Sequence, residues 1–128
     1  MSKPILCLDF DGVLHSYTSG WKGADVIPDP PVPGAIDFLR EVVKHFRVAI
    51  FSSRSNQDGG QRAMREWLGF YQVEHRLSGS EDLSWVAASE WPTEKPAAFL
   101  TIDDRAITFN GTWPTIEAIK SFKPWNKP

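Results

Sequence analysis

A single cysteine, Cys7, stands among 128 residues, so no disulfide can form within the chain, and a reducing compartment suits it. Lying inside an apolar run, it reads as a small core residue rather than a nucleophile. No apolar stretch approaches the length of a membrane span, and the N-terminal "MSKPILCLDF" lacks the hydrophobic segment of a secretory leader. These absences lead to the expectation of a cytoplasmic protein with no membrane partner. Net charge is scarce too. Fourteen basic against sixteen acidic side chains leave a formal −2, which gives no broad positive field for non-specific nucleic-acid binding. A local basic groove stays compatible with that balance. Internal repeats are missing as well.

What is present suffices for one core. The chain is 41% hydrophobic and 23% charged, ordinary values for a globular protein, and its length predicts one domain over residues 1–128. Ten prolines are many, and those in "VIPDPPVPG" require a stiff, extended connection. Residues 4–9 form a continuous apolar run without alternation, the pattern of a strand buried on both faces. Ile36, Leu39, Val43 and Phe46 recur at helical spacing. "FRVAIF" predicts a second buried strand, and Ala63, Met64, Trp67 and Leu68 a second helix that Gly69 would end. Further on, "YQVEHRL" reads as a weaker strand, and "SEDLSWVAASEW" as a short helix ended by Pro92. "AAFLTI" reads as another buried strand, "AITF" as a last strand and "TIEAIKSF" as a closing helix. Such alternation predicts an α/β fold, a three-layer Rossmann-like parallel sheet with helices on both faces. In such sheets ligands gather outside the carboxyl ends of the strands.

Three of the predicted strands finish in polar residues. The first runs into Asp9 and Asp11, followed at once by Gly12, whose freedom can turn both carboxylates toward one pocket. Two carboxylates beside a divalent cation need not suffer the repulsion that raises a pKa. A calcium loop does not fit "DFDG", which lacks the third oxygen ligand before the glycine. The plainer alternative is a pair of turn aspartates capping the next segment. Asp103 and Asp104 in "IDDR" form a second acidic cluster; Asp103 is the better ligand candidate, and Asp104 has an alternative as a cap. At the third strand end, "FSSR", Ser52 can donate to a phosphoryl oxygen and Arg54 can grip a phosphate bidentately. Ser53 and Arg54 have the alternative of an ordinary solvated loop.

Together "LDFDGVL", "IFSSR" and "LTIDDR" resemble the haloacid dehalogenase superfamily of Mg²⁺-dependent phosphohydrolases, over residues 5–109. The resemblance implies that Asp9 is the nucleophile, forming an aspartyl-phosphate, and that Asp11 is the acid and base. It further implies that Asp9, the main-chain carbonyl of Asp11 and Asp103 hold Mg²⁺, with Asp104 in the same acidic motif, and that Ser52 supplies the family's hydroxyl. The family also uses a lysine on nucleophile and phosphate. Lys95 matches by position, but a strand over residues 97–102 spans roughly 20 Å at about 3.3 Å per residue and would leave it at the wrong end of the sheet. Either that strand is shorter, or another cation such as Arg76 serves.

Neither residues 12–32 nor 55–94 hold enough for a separate cap domain, so a capless member is expected, with His15, Tyr17 and Trp21 as candidate lining of an open entrance. "SSR" with "IDDR" is also similar to the phosphatase domain of polynucleotide kinase–phosphatases, in which the arginine matching Arg54 holds phosphate. The expected activity is thus a Mg²⁺-dependent phosphomonoesterase, with a nucleic-acid or nucleotide phosphate end among its candidate substrates. Alternatives are a sugar-phosphate or mononucleotide phosphatase, and a catalytically silent phosphate-binding module.

Overall fold

The structure, a computed structural model, describes residues 3–74 and 89–126. Four-residue strands, β1 (Ile5–Leu8) and β2 (Arg47–Ile50), and a three-residue strand, β3 (Leu100–Ile102), form on the largely apolar segments. All pair parallel in the order β2-β1-β3, which makes a small α/β protein with an open three-stranded sheet. The register aligns the strand ends: Leu8 lies opposite Ile50 on one side and Ile102 on the other. Each chain therefore leaves the sheet at one level, where Asp9, Phe51 and Asp103 follow.

Between β1 and β2 runs α1 (Ala35–Val42), entered through Gly34 at φ 88°, in the left-handed region that glycine tolerates. Ala35, Ile36, Leu39 and Val42 face the core. The helical pattern extends to Phe46, but the backbone tightens first: Lys44 and His45 bond the carbonyls of Glu41 and Val42, three residues back. That turn delivers Arg47 to its bond with the Pro4 carbonyl, where β2 starts.

The second helix, α2 (Gly60–Glu74), is longer than the sequence pattern predicts. Gly69 lies inside it, and residues 71–74 of the expected strand "YQVEHRL" are its last turn. The remainder of that strand, Arg76, and positions 80–88 of the expected helix lie outside the described residues. α1 and α2 share one core cluster with Leu6, Leu8, Val48 and Ile50, which alternation places on a single face of the sheet.

The last third of the chain departs most from expectation. β3 covers half of the predicted "AAFLTI", and its three residues are exposed, not buried. Residues 106–109 form no strand. The closing helix, α3 (Ile116–Lys120), is capped by the Thr115 hydroxyl on the Ala118 amide and buries none of its residues. Apolar runs report an appetite for burial, not what covers the strand. A helix layer on the second sheet face is not seen among the described residues; nor is any helix long and apolar enough to cross a membrane.

Candidate active site

Asp9 and Asp103 are the first residues beyond the paired ends of β1 and β3, and the Asp9 amide donates to the Ile102 carbonyl at 3.0 Å. Asp104 completes the group: one carboxylate oxygen from each of Asp9, Asp103 and Asp104 lies within 4.8 Å of the others. Burial pushes the Asp9 carboxyl up to about 8, with help from its hydrogen bond to Asp104 and the charges of Asp103 and Asp104. The Phe10 amide, which donates to Asp9 Oδ1 at 2.8 Å, works in the opposite direction.

Gly12 proves necessary for a reason the sequence does not state. Its φ is +83°, and a Cβ there would collide with the Asp104 carboxylate. The glycine makes room for the third acid instead of merely turning the first two. Asp104 is nearly enclosed, with Arg105 Nε at 3.6 Å as an ion-pair partner, whereas Asp103 is exposed and accepts the Arg105 amide at 2.9 Å.

Asp11 goes elsewhere. Its carboxylate lies outside the three-acid group and is gripped by Arg54 Nε, at 2.9 Å to Oδ2 and 3.1 Å to Oδ1, and by His15 Nδ1 at 2.9 Å to Oδ1. Arg54 is fully buried, and its Nη1 is shared among the carbonyls of Gly23, Ala24 and Val26 at 2.8, 2.9 and 3.2 Å. Trp21 lies over the guanidinium, 4.6 Å from ring centre to Cζ. This side chain therefore fastens the loop of residues 12–32 to the strand end. Its Nη2 is buried as well and has no hydrogen-bond partner among the described residues. Paired backbones also pin the loop: Ser16 N–H to the Pro30 carbonyl and Val32 N–H to the Leu14 carbonyl, at 2.9 and 2.8 Å.

The other predicted residues divide. Ser52 is buried in the turn after β2, its Oγ accepting the Arg54 amide at 3.0 Å. Ser53 is exposed and offers its carbonyl to Gln57. Lys95 is exposed; β3 starts only at Leu100, and the lysine's charge is felt at Cys7, as are those of Asp9 and Asp103. His15 does not line an open entrance as expected: it is fully buried against Asp11, and Asp29 bonds its far side, a polar chain that pattern reading did not foresee. The signal lay in the four-residue spacing of Asp11 and His15, but Asp29 joins through a loop closure that no local pattern encodes.

Carboxylate oxygens are hard ligands, matched to Mg²⁺, Mn²⁺ or Ca²⁺ and poorly to zinc or copper. Three such groups, with Asp9 raised to about 8 by burial first and by its acidic neighbours second, fit a divalent cation, whose charge would offset both. Comparison of the chain with protein-family models, with curated proteins and with solved structures finds no match.

Proposed function

We propose that this chain is a capless phosphohydrolase of the haloacid dehalogenase type, a Mg²⁺-dependent phosphomonoesterase. The observation that carries the reading is the meeting of Asp9, Asp103 and Asp104 at the carboxyl ends of two adjacent parallel strands. A divalent cation bound there supplies positive charge beside the phosphoryl oxygens.

The chain's own groups do the rest. Ionised Asp9 attacks phosphorus in line; its oxygen–phosphorus bond forms as the ester bond breaks, and the leaving oxygen takes a proton from Asp11. Water then cleaves the aspartyl-phosphate, giving its proton to Asp11 and freeing phosphate. Ser52, whose hydroxyl would have to leave the Met64 sulfur 3.6 Å away, and Arg54 Nη2 would donate to the transferring oxygens, with Ser53 and Lys95 at the periphery. Tyr17 and Trp21 offer aromatic surface beside Arg54, which supports a nucleotide or nucleic-acid phosphate end as substrate.

The test is phosphate release from aryl phosphate, mononucleotides, sugar phosphates and oligonucleotides carrying 3′- or 5′-phosphate, with and without Mg²⁺. Turnover should require Mg²⁺ and fall by on the order of 10⁴–10⁶ in Asp9→Asn. Metal binding with no turnover on any of these compounds would leave a phosphate-binding module instead.

A further inference from the structure

His15 is fully buried, yet both its ring nitrogens are engaged. Nε2 accepts the backbone N–H of Asp29 at 3.1 Å. An amide can only donate, so the ring proton must sit on Nδ1, which faces Asp11 Oδ1 at 2.9 Å. The Asp29 carboxylate, 3.6 Å from Nε2, is too far to compete for a proton there.

That carboxylate is committed elsewhere, to the Ser19 amide at 2.8 Å and the Ser19 hydroxyl at 2.6 Å. These bonds outweigh burial and hold Asp29 below the usual carboxylate range. The Asp29 carbonyl accepts Trp67 Nε1 from α2 at 2.9 Å. The residue whose amide holds the imidazole is thus itself held, through its carbonyl, by a core helix. Aromatic rings enclose the imidazole: Phe10 at 5.7 Å, Trp67 at 5.7 Å and Tyr17 at 5.8 Å between centroids.

We infer that His15 is a positioning residue for Asp11. Resting on the phosphohydrolase reading above, the inference gives the two Asp11 oxygens different duties. Oδ1 takes bonds from both His15 Nδ1–H and Arg54 Nε–H, whereas Oδ2 takes only the Arg54 bond. Oδ2 keeps a lone pair open and is the oxygen that carries the proton. The imidazole does not shuttle that proton. It sets the angle from which Asp11 delivers it.

Three proteins test this: His15→Phe, which keeps the ring volume and removes the donor, His15→Asn, whose amide nitrogen stands near the Nδ1 position, and the parent. His15→Phe should lower kcat by about 10- to 100-fold with KM within about threefold, because the loss falls on proton delivery. His15→Asn should recover most of that loss, and Mn²⁺ affinity should match the parent in both variants. A kcat for His15→Phe within threefold of the parent, or equal damage in the two variants, overturns the inference. Long-range ¹H–¹⁵N correlation on the parent needs no variant to fold: the protonated ring nitrogen of His15 should be Nδ1, shifting in Asp11→Asn. A proton on Nε2 overturns the assignment even if the enzyme is active. A parent that hydrolyses none of the phosphate esters sinks the phosphohydrolase reading and, with it, the catalytic duty given to Asp11. The nitrogen spectrum then still decides whether His15 holds that carboxylate.

Discussion

The two ends of this molecule are built differently, although they share the site. Among the described residues, those between 5 and 68 supply every member of the buried apolar cluster, together with the buried side chains of His15, Asp29 and Arg54. Residues 97–126 contribute none of that cluster; Trp113 is 81% exposed, and Phe99, Leu100, Ile107, Ile116 and Trp125 are each more than half exposed. Yet this thinly packed part carries Asp103 and Asp104, two of the three carboxylates that converge. Among the contacts that join it to the rest are the β1–β3 ladder, the Asp9–Asp104 hydrogen bond, the stacking of Phe99 on Phe46 at 6.4 Å, and two side-chain bonds from Trp125 and Asn126. Asp11 is therefore fixed within one packed unit, whereas the three-acid group is assembled across a seam. Acid–base geometry needs rigidity in advance, but a cation can draw its own ligands together.

The largest test of that contrast removes the bolt on the packed side. Arg54→Met keeps much of the apolar stem but leaves Asp11 without its main partner and takes the Arg54 donor from the carbonyls of Ala24, Val26 and Gly23, of which Gly23 keeps the Val26 amide at 3.2 Å. Breaking one side of a buried ion pair costs about 3–5 kcal/mol, so the urea midpoint should fall steeply. A loss below about 1 kcal/mol would mean that the loop of residues 12–32 is held by its paired backbone alone.

Across the seam the expected effects are smaller and depend on pH. Asp9 ionises near 3.8 when unfolded and near 8 when folded without metal, so between those values the native state binds a proton that the unfolded state does not. Metal-free stability gained from this group is complete below about pH 4 and is lost as pH rises through 8. Saturating Mg²⁺ should flatten that slope, since the metal gains affinity with pH as fast as the metal-free state loses stability; at 100 times its Kd it stabilises by about 2.7 kcal/mol. Calorimetry at pH 7 in buffers of different ionisation heat should show proton release on Mn²⁺ binding, absent in Asp9→Asn. Equal slopes with and without metal would remove Asp9 from the cation site.

The same contrast explains what could be read from residues alone. Apolar runs ending in acid put Asp9 and Asp103 at one level of the sheet, because parallel register is all that this requires. The destination of Asp11 was hidden, since its partner Arg54 is 43 residues away and the loop between them must close first. α2 was legible further than Gly69 suggested: Met64, Trp67, Leu68 and Gln72 keep helical spacing across it, and a Cβ at Gly69 would meet nothing within 4 Å. A glycine stops a helix only when the backbone turns left-handed there, and this one does not. Exposure of β3 was illegible, because "AAFLTI" has the composition of a buried strand whatever packs upon it.

The smallest effect is expected where the loose part touches the site loop. Trp125 Nε1 donates to the Gly12 carbonyl at 2.7 Å, and Asn126 Nδ2 to the Ser16 carbonyl at 2.9 Å, bonds that span more than a hundred residues of chain. Trp125→Phe removes the first donor and keeps an aromatic ring. The indole is mostly exposed, so water can replace the lost partner, and the cost should lie near the low end of about 0.5–1.5 kcal/mol. The informative reading is local. Amide exchange at Gly12 and Leu14, which bond the carbonyls of His15 and Phe10, should quicken if the clasp steadies the turn bearing Asp11. Unchanged exchange there would mean that the seam is held by the β1–β3 ladder, and that the turn bearing Asp11 needs nothing from residues 103–126.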